Sequence, residues 1–209
     1  MATATATIPV PKADPPQNGT NGARPLLTWG DYLTEGTIRG HYDIVGGVRY
    51  FMASPKLGHQ RIALRVARRL ESYEETTRTG RVFPAPCDVL TRRTPKLQVR
   101  QPGCLYVTND SLARQSDYQD AGYLAVTPNL IIEILSESDT PTVLTEKLAD
   151  YSTISVGEAW LIHPDARTVS VMVRGLTEWT KTARYKDTET VRSANLPGLS
   201  APVADLFKS

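Results

Sequence analysis

The sequence predicts an α/β protein, α+β in local order, with a mixed β-sheet core flanked by helices and a β-hairpin near the N-terminus. Three observations lead there. Most strand-like segments follow one another with no helix between them, unlike a regular βαβ repeat. Residues 130–135 form a short isoleucine-rich run that fits a strand buried on both faces, and a helical pattern follows it directly. A Gly46-Gly47 pair separates strand-like segments at 42–45 and 48–52, which marks a two-residue hairpin turn of the primed type. With 209 residues, 40% hydrophobic and 22% charged, the chain is long enough for one domain with a sizeable core.

Residues 1–25 are Ala-Thr repeats followed by Pro, Asn and Gly, a composition that buries too little to offset its ordering entropy. They are expected to be a disordered tail, and 26–209 the folded domain. Thr28 can cap a short helix through Trp29, Tyr32 and Leu33. After the hairpin, Ser54 or Pro55 opens a long helix over about 57–77, with Ile62, Val66, Leu70 and Tyr73 as its buried stripe. A second stripe, Arg61, Arg65, Arg68 and Arg69, is basic. It reads either as a solvated face partly neutralised by Glu71, Glu74 and Glu75, or as a phosphate-contacting ridge.

Gly80 is expected to end that helix. Strand pieces at 82–83 and 87–90 surround Pro84 and Pro86, and Arg92, Arg93, Lys96 and Arg100 form a basic loop. Residues 103–108 form another strand, and 109–125 a long polar loop placed to cover a cleft. Thr140 and Pro141 supply an N-cap and a first helical residue for the segment after 130–135. Segments 158–162 and 168–174 form a hairpin turning at Pro164-Asp165, 178–185 a further strand, and Val203, Leu206 and Phe207 close the chain.

Two charges stand out because their neighbours are apolar. Glu133 lies inside the 130–135 strand, where a lone carboxylate would lose its hydration and gain little. Lys147 falls on the helical stripe Leu144, Leu148 and Tyr151. One oddity on a strand and another on the helix leaving it are expected to answer each other. No Gly-rich phosphate loop, Gly-x-Ser-x-Gly elbow or HExxH is present, so dehydrogenase, P-loop, serine hydrolase and zincin readings lack support. Cys87 and Cys104 are too few for a disulfide scaffold; a bridge between neighbouring strands is possible, and two reduced core thiols are the simpler reading. No apolar run approaches the roughly 20 residues that cross a bilayer, and the N-terminus lacks a Sec-type signal. The expected location is cytoplasmic, with no membrane partner.

The ordered set Glu133-Ile-Leu-Ser136-x-Ser138, Lys147, Tyr151 and Val156-x-Glu158-x-Trp160 resembles the Uma-two family of bacterial restriction-endonuclease-like proteins, within the PD-(D/E)XK nuclease superfamily. Ser54-Pro55, His59 and the closing Leu196-Pro-Gly-Leu199 also fit, and the resemblance runs from about 27 to 207. It implies a restriction-endonuclease-like fold and a metal-dependent DNA endonuclease. Mg2+ (or Mn2+) would be held by an aspartate and a glutamate on neighbouring strands, with a lysine orienting or deprotonating water or steadying the phosphate. Glu133 matches the glutamate, and Lys147 the lysine that this family has moved to the following helix.

Departures from the pattern bear on activity. Pro102-Gly103 stands where the family reads Pro-Asp, so the main metal-binding aspartate is missing. Val143 stands where a helical aspartate is common, and His163 replaces the aspartate of the usual Asp-Pro. Asp88 is the best replacement ligand, against a surface-strand reading; Asp110 and Asp117 are weaker. The expected catalytic set is Glu133, Lys147, Asp88 and the Gly103 position, with Glu133 and Asp88 as metal ligands and metal binding weak. His59 either contacts a phosphate or packs at its helix start. His59, Arg61, Arg65, Arg92 and Arg93 are the expected nucleic-acid contacts. DNA is the expected partner, with a homodimer by analogy. The alternative is an inactive nuclease fold that binds nucleic acid or a protein partner, with Glu133 and Lys147 as a structural ion pair.

Overall fold

The computed structural model describes residues 25–36, 38–136, 139–176 and 178–208. The expected tail lies outside these residues apart from its last position. Helix α1 (Trp29–Thr34) precedes a hairpin of β1 (Tyr42–Val45) and β2 (Val48–Phe51). The long α2 (Leu57–Thr77) leads into β3 (Gly80–Pro84), β4 (Asp88–Arg92), β5 (Gln98–Arg100) and β6 (Cys104–Thr108). A single turn α3 (Asn109–Leu112) and the short β7 (Tyr123–Leu124) come before β8 (Leu130–Ile134). Helix α4 (Pro141–Thr153) follows, then β9 (Glu158–His163), β10 (Thr168–Arg174), β11 (Trp179–Tyr185), β12 (Thr190–Arg192), β13 (Ser200–Pro202) and α5 (Val203–Leu206).

The strands form a six-stranded sheet in the order β11-β10-β9-β8-β6-β3, a five-stranded sheet in the order β2-β1-β5-β4-β7, and the small pair β12-β13. Both larger sheets are mixed: β8 and β9 are parallel across the α4 crossover, and β4 pairs β7 in parallel. Every residue of β8 is buried, because both faces of its sheet are covered. On one face Ile62, Val66 and Leu70 of α2 pack with Leu130, Ile132 and Ile134 and with the C-terminal Val203 and Leu206. On the other, Ile131 packs with Leu148 and Tyr151 of α4 and with Val89 of the five-stranded sheet. A third cluster, including Ile44, Leu90 and Val99, lies under α1.

Local signals explain most element ends. Gly46 and Gly47 both have positive φ, as the tight turn requires. The Thr140 hydroxyl accepts from the Val143 amide at 3.3 Å, and Pro141 opens α4. Gly80 does not end α2, contrary to expectation. Arg78 takes the left-handed position (φ 55°), and Gly80 begins β3 at a point where a Cβ would collide with the Val107 carbonyl oxygen. The segment 109–125 is not a lid: its Leu112 and Leu124 are buried in the α4-side core, and Tyr118 meets Phe83 edge-on. Cys87 and Cys104 are free thiols. Among the described residues, no helix is long and apolar enough to cross a membrane.

Candidate functional site

Strand alternation turns Glu133 away from α2 and toward α4. One carboxylate oxygen accepts from the Tyr151 hydroxyl at 2.6 Å; the other faces the Lys147 ammonium at 3.4 Å. Lys147 is brought there by its place one turn before Tyr151 on α4. Its ammonium also donates to Asp139 Oδ1 at 3.0 Å, while Asp139 Oδ2 accepts from the Ser136 amide and hydroxyl. The ammonium therefore bridges two carboxylates. Asp139 was missed by sequence reasoning; its only signal is its place just before the Thr140 cap.

The five-stranded sheet presses a second set of charges against the same helix. Arg100 of β5 is 3% exposed and donates to Asp43 of β1 at 2.8 Å and to Asp150 of α4 at 2.7 Å. The Gln98 side chain also donates to Asp150. Arg100 is thus no part of a basic loop. Asp43 and Asp150 were likewise unread, although Asp150 lies three residues beyond Lys147.

Four carboxylates share two cations in this cluster. Burial pushes the Glu133 carboxyl above its ordinary range, outweighing Lys147 and the Tyr151 hydrogen bond, which pull the other way. Burial would lower the Lys147 ammonium, but the charges of Glu133, Asp139 and Asp43 more than reverse that and hold it protonated. Burial would also raise Asp139, yet the Lys147 charge and the Ser136 bonds leave it below its usual value. Lys147 is a fixed cation rather than a poised base.

Gly103 lies one residue before β6, whose register with β8 begins at Cys104↔Ile132, and so runs beside the stretch of β8 that carries Glu133. A Cβ on Gly103 would lie 3.2 Å from the Ile132 oxygen and 3.6 Å from the Ile134 nitrogen. Position 103 thus borders the β8 backbone on either side of Glu133 and offers no side chain.

The other expected residues do not join this cluster. Asp88 is buried but faces α1, where its carboxylate accepts from the hydroxyls of Tyr32 at 2.6 Å and Tyr42 at 2.8 Å and from the Gln101 amide. It is neither a surface-strand residue nor a partner of Glu133. Asp110 and Asp117 are exposed, beyond the far end of β6. His59 Nε2 lies 2.8 Å from the Ile134 carbonyl oxygen, so it donates there and ties the start of α2 to the end of β8; its Nδ1 is buried without a partner. Arg92 donates to the Lys96 carbonyl, and Arg93 lies over the Trp29 ring, 5.0 Å from its centre. Arg61 and Arg65 are on α2, on the opposite face of the six-stranded sheet from Glu133.

A resident magnesium ion wants several oxygen ligands in a tight octahedral shell. Both Glu133 oxygens and both Asp139 oxygens are already engaged, Gly103 supplies none, and Asp88 faces elsewhere. No group of three or more His, Cys, Asp or Glu side chains among the described residues could hold a metal ion. The residues present do not fit such an ion.

The remaining motif glutamate, Glu158, has a different role. It is fully buried and accepts from Trp160 Nε1 at 2.7 Å through one oxygen. Through the other it accepts from the Ser193 hydroxyl and the Ala194 and Asn195 amides at 2.8–2.9 Å. It pins the 193–195 turn to β9.

Comparison with known proteins agrees with this architecture. A family model described as "Putative restriction endonuclease" matches residues 34–204. A crystal structure from Anabaena variabilis, described as "a putative nuclease belonging to DUF820", superposes with a TM-score of 0.70 at 20% identity. The match covers 87% of this chain and 97% of that one. No curated protein sequence matches.

Proposed function

The chain belongs to the Uma2 family, whose model spans residues 34–204, and from that premise we propose a nuclease-fold protein that acts on nucleic acid, DNA first. The divalent-metal-dependent phosphodiester hydrolysis that such a fold implies would be weakened in it, because position 103 carries no carboxylate and the residues present do not fit the ion. The observation that supports this reading is the seating of Lys147 on Glu133, with Gly103 just before β6 beside the same strand. Mg2+ or Mn2+ would meet one buried carboxylate whose two oxygens are already engaged, so its binding would be weak. Lys147, held protonated by its neighbours, can offer positive charge to a phosphate; it is badly placed to take a proton from water.

A second reading is an inactive nuclease fold that binds nucleic acid or a protein partner. The ammonium bridge between Glu133 and Asp139 favours it, because that bridge satisfies the cluster without a metal. Gly103→Asp separates the two. The added Cβ would press on the Ile132 carbonyl oxygen at 3.2 Å, so the variant's melting temperature is measured alongside. Metal binding by calorimetry and plasmid cleavage with Mg2+ or Mn2+ are compared for wild type and variant. Slow wild-type cutting that Gly103→Asp accelerates supports the weakened enzyme. Cutting only by the variant supports the inactive binder. Neither protein binding metal nor cutting would leave Glu133 and Lys147 as a structural ion pair and sink the hydrolytic reading.

A further inference from the structure

Five positions of α2, Arg61, Arg65, Arg68, Arg69 and Ser72, fall within about 100° of the helix circumference and span about 16 Å of its length. From Arg65 onward they form one wall of a groove of about 290 Å³, whose other wall is Ala201 and Pro202 of β13 with Asp205 and Leu206 of α5. Asp205 is the one acid lining it, and Lys208 pairs with that carboxylate at 2.5 Å. Glu74 does not neutralise the ridge, since its carboxylate turns to the Val82 amide at 2.7 Å and to Arg81. Arg65 spends one N–H on the Leu206 carbonyl, and Arg69 one on the Ser200 carbonyl. Each guanidinium has five donors in a rigid fork, so these bonds fix its plane and leave other donors for an anion. Arg61 and Arg68 are exposed on the same stripe.

We propose that this groove is an accessory site for the phosphodiester backbone of a nucleic acid, separate from Glu133 and Lys147. The proposal rests on the nucleic-acid reading above. Successive arginines one helical turn apart set cations about 5–6 Å from one another, suited to a repeating anion rather than to one phosphate. The apolar floor of Pro202 and Leu206 admits sugar edges. Leu57 and Leu64, exposed beside the stripe, raise the other possibility of an anionic membrane surface. A concave groove does not lie flat on a bilayer, and this favours one backbone of a nucleic-acid duplex seated along it.

The test is fluorescence anisotropy of a short labelled duplex with the full chain, without metal, over a series of potassium chloride concentrations. The probe variant is Arg61→Glu with Arg68→Glu, both exposed, and its melting temperature should match wild type. Arg114→Glu, on the 109–125 segment, controls for net charge. Wild-type affinity should fall steeply with salt. The double variant should bind at least about tenfold more weakly, with a salt slope shallower by about 2, and Arg114→Glu should stay within about twofold. Duplex binding unchanged in the double variant would overturn the groove and leave the nucleic-acid reading standing. No wild-type binding even at the lowest salt would overturn both. Tight, Arg68-dependent binding to phosphatidylserine vesicles without DNA binding would overturn the proposed occupant.

Discussion

Glu158→Ala should be among the most destabilising single changes in this chain. The carboxylate lies wholly inside the protein with no cation partner among the described residues, held by one side-chain N–H, one hydroxyl and two backbone amides. Its removal leaves the Trp160 indole N–H orphaned in the core, at a cost of about 1–3 kcal/mol. The three donors at the other oxygen belong to a turn where Ala194 and Asn195 are exposed, so water can reach them and their loss is smaller, about 1 kcal/mol each at most. The expected total is about 3–5 kcal/mol, a fall in melting temperature on the order of 10 °C for a chain of this size. Glu158→Gln should fall between, because whichever way the amide turns, its N–H2 faces donors. Urea unfolding followed by tryptophan emission reads both variants. A loss below about 1 kcal/mol for alanine, or glutamine equal to glutamate, would refute the argument that this carboxylate is the clamp on the 193–195 turn.

Two further outcomes follow from buried charge. Arg100→Met should cost about 3–5 kcal/mol in urea unfolding, since Asp43 and Asp150 would then lie buried against each other uncompensated; Asp43→Asn in the same chain should restore part of that. Burial, with the nearby charges of Arg184 and Lys181, holds His163 below its ordinary 6.5. The unfolded chain therefore takes up this proton first as pH falls, so the stability is full above about 6.5 and declines through the interval down to the native value. His163→Asn should remove that decline, read as a smaller drop in urea midpoint between about pH 7.5 and about pH 5.5; an unchanged drop would exclude His163 as its source.

Where a signal is local, the sequence carries it. The apolar run of β8, the Thr140-Pro141 start of α4 and the Gly46-Gly47 turn each depend on neighbours a few residues away, and all three are present. The pairing of Glu133 with Lys147 was legible for a related reason: both charges sit among apolar neighbours on consecutive elements. Arg100 was not legible. Its partners are 57 and 50 residues away, and a strand three residues long that follows Arg92, Arg93 and Lys96 looks like a loop. Asp88 failed in the same way, because the Tyr32 and Tyr42 hydroxyls that receive it come from α1 and β1. Gly80 misled because a glycine after a helix usually ends it, whereas here the close approach of β6 requires it.

Glu133 and Glu158 belong to the same ordered motif, and both are buried in neighbouring strands, yet their surroundings give them opposite capacities. Around Glu158 every acceptor position is met by a donor of fixed geometry, with no mobile charge beside it, so the group can only hold structure. Around Glu133 the balancing charge sits on a lysine that it shares with Asp139, at the longer of the two contacts. The sharing of one ammonium between two carboxylates, rather than burial or motif membership, distinguishes Glu133 from the clamp.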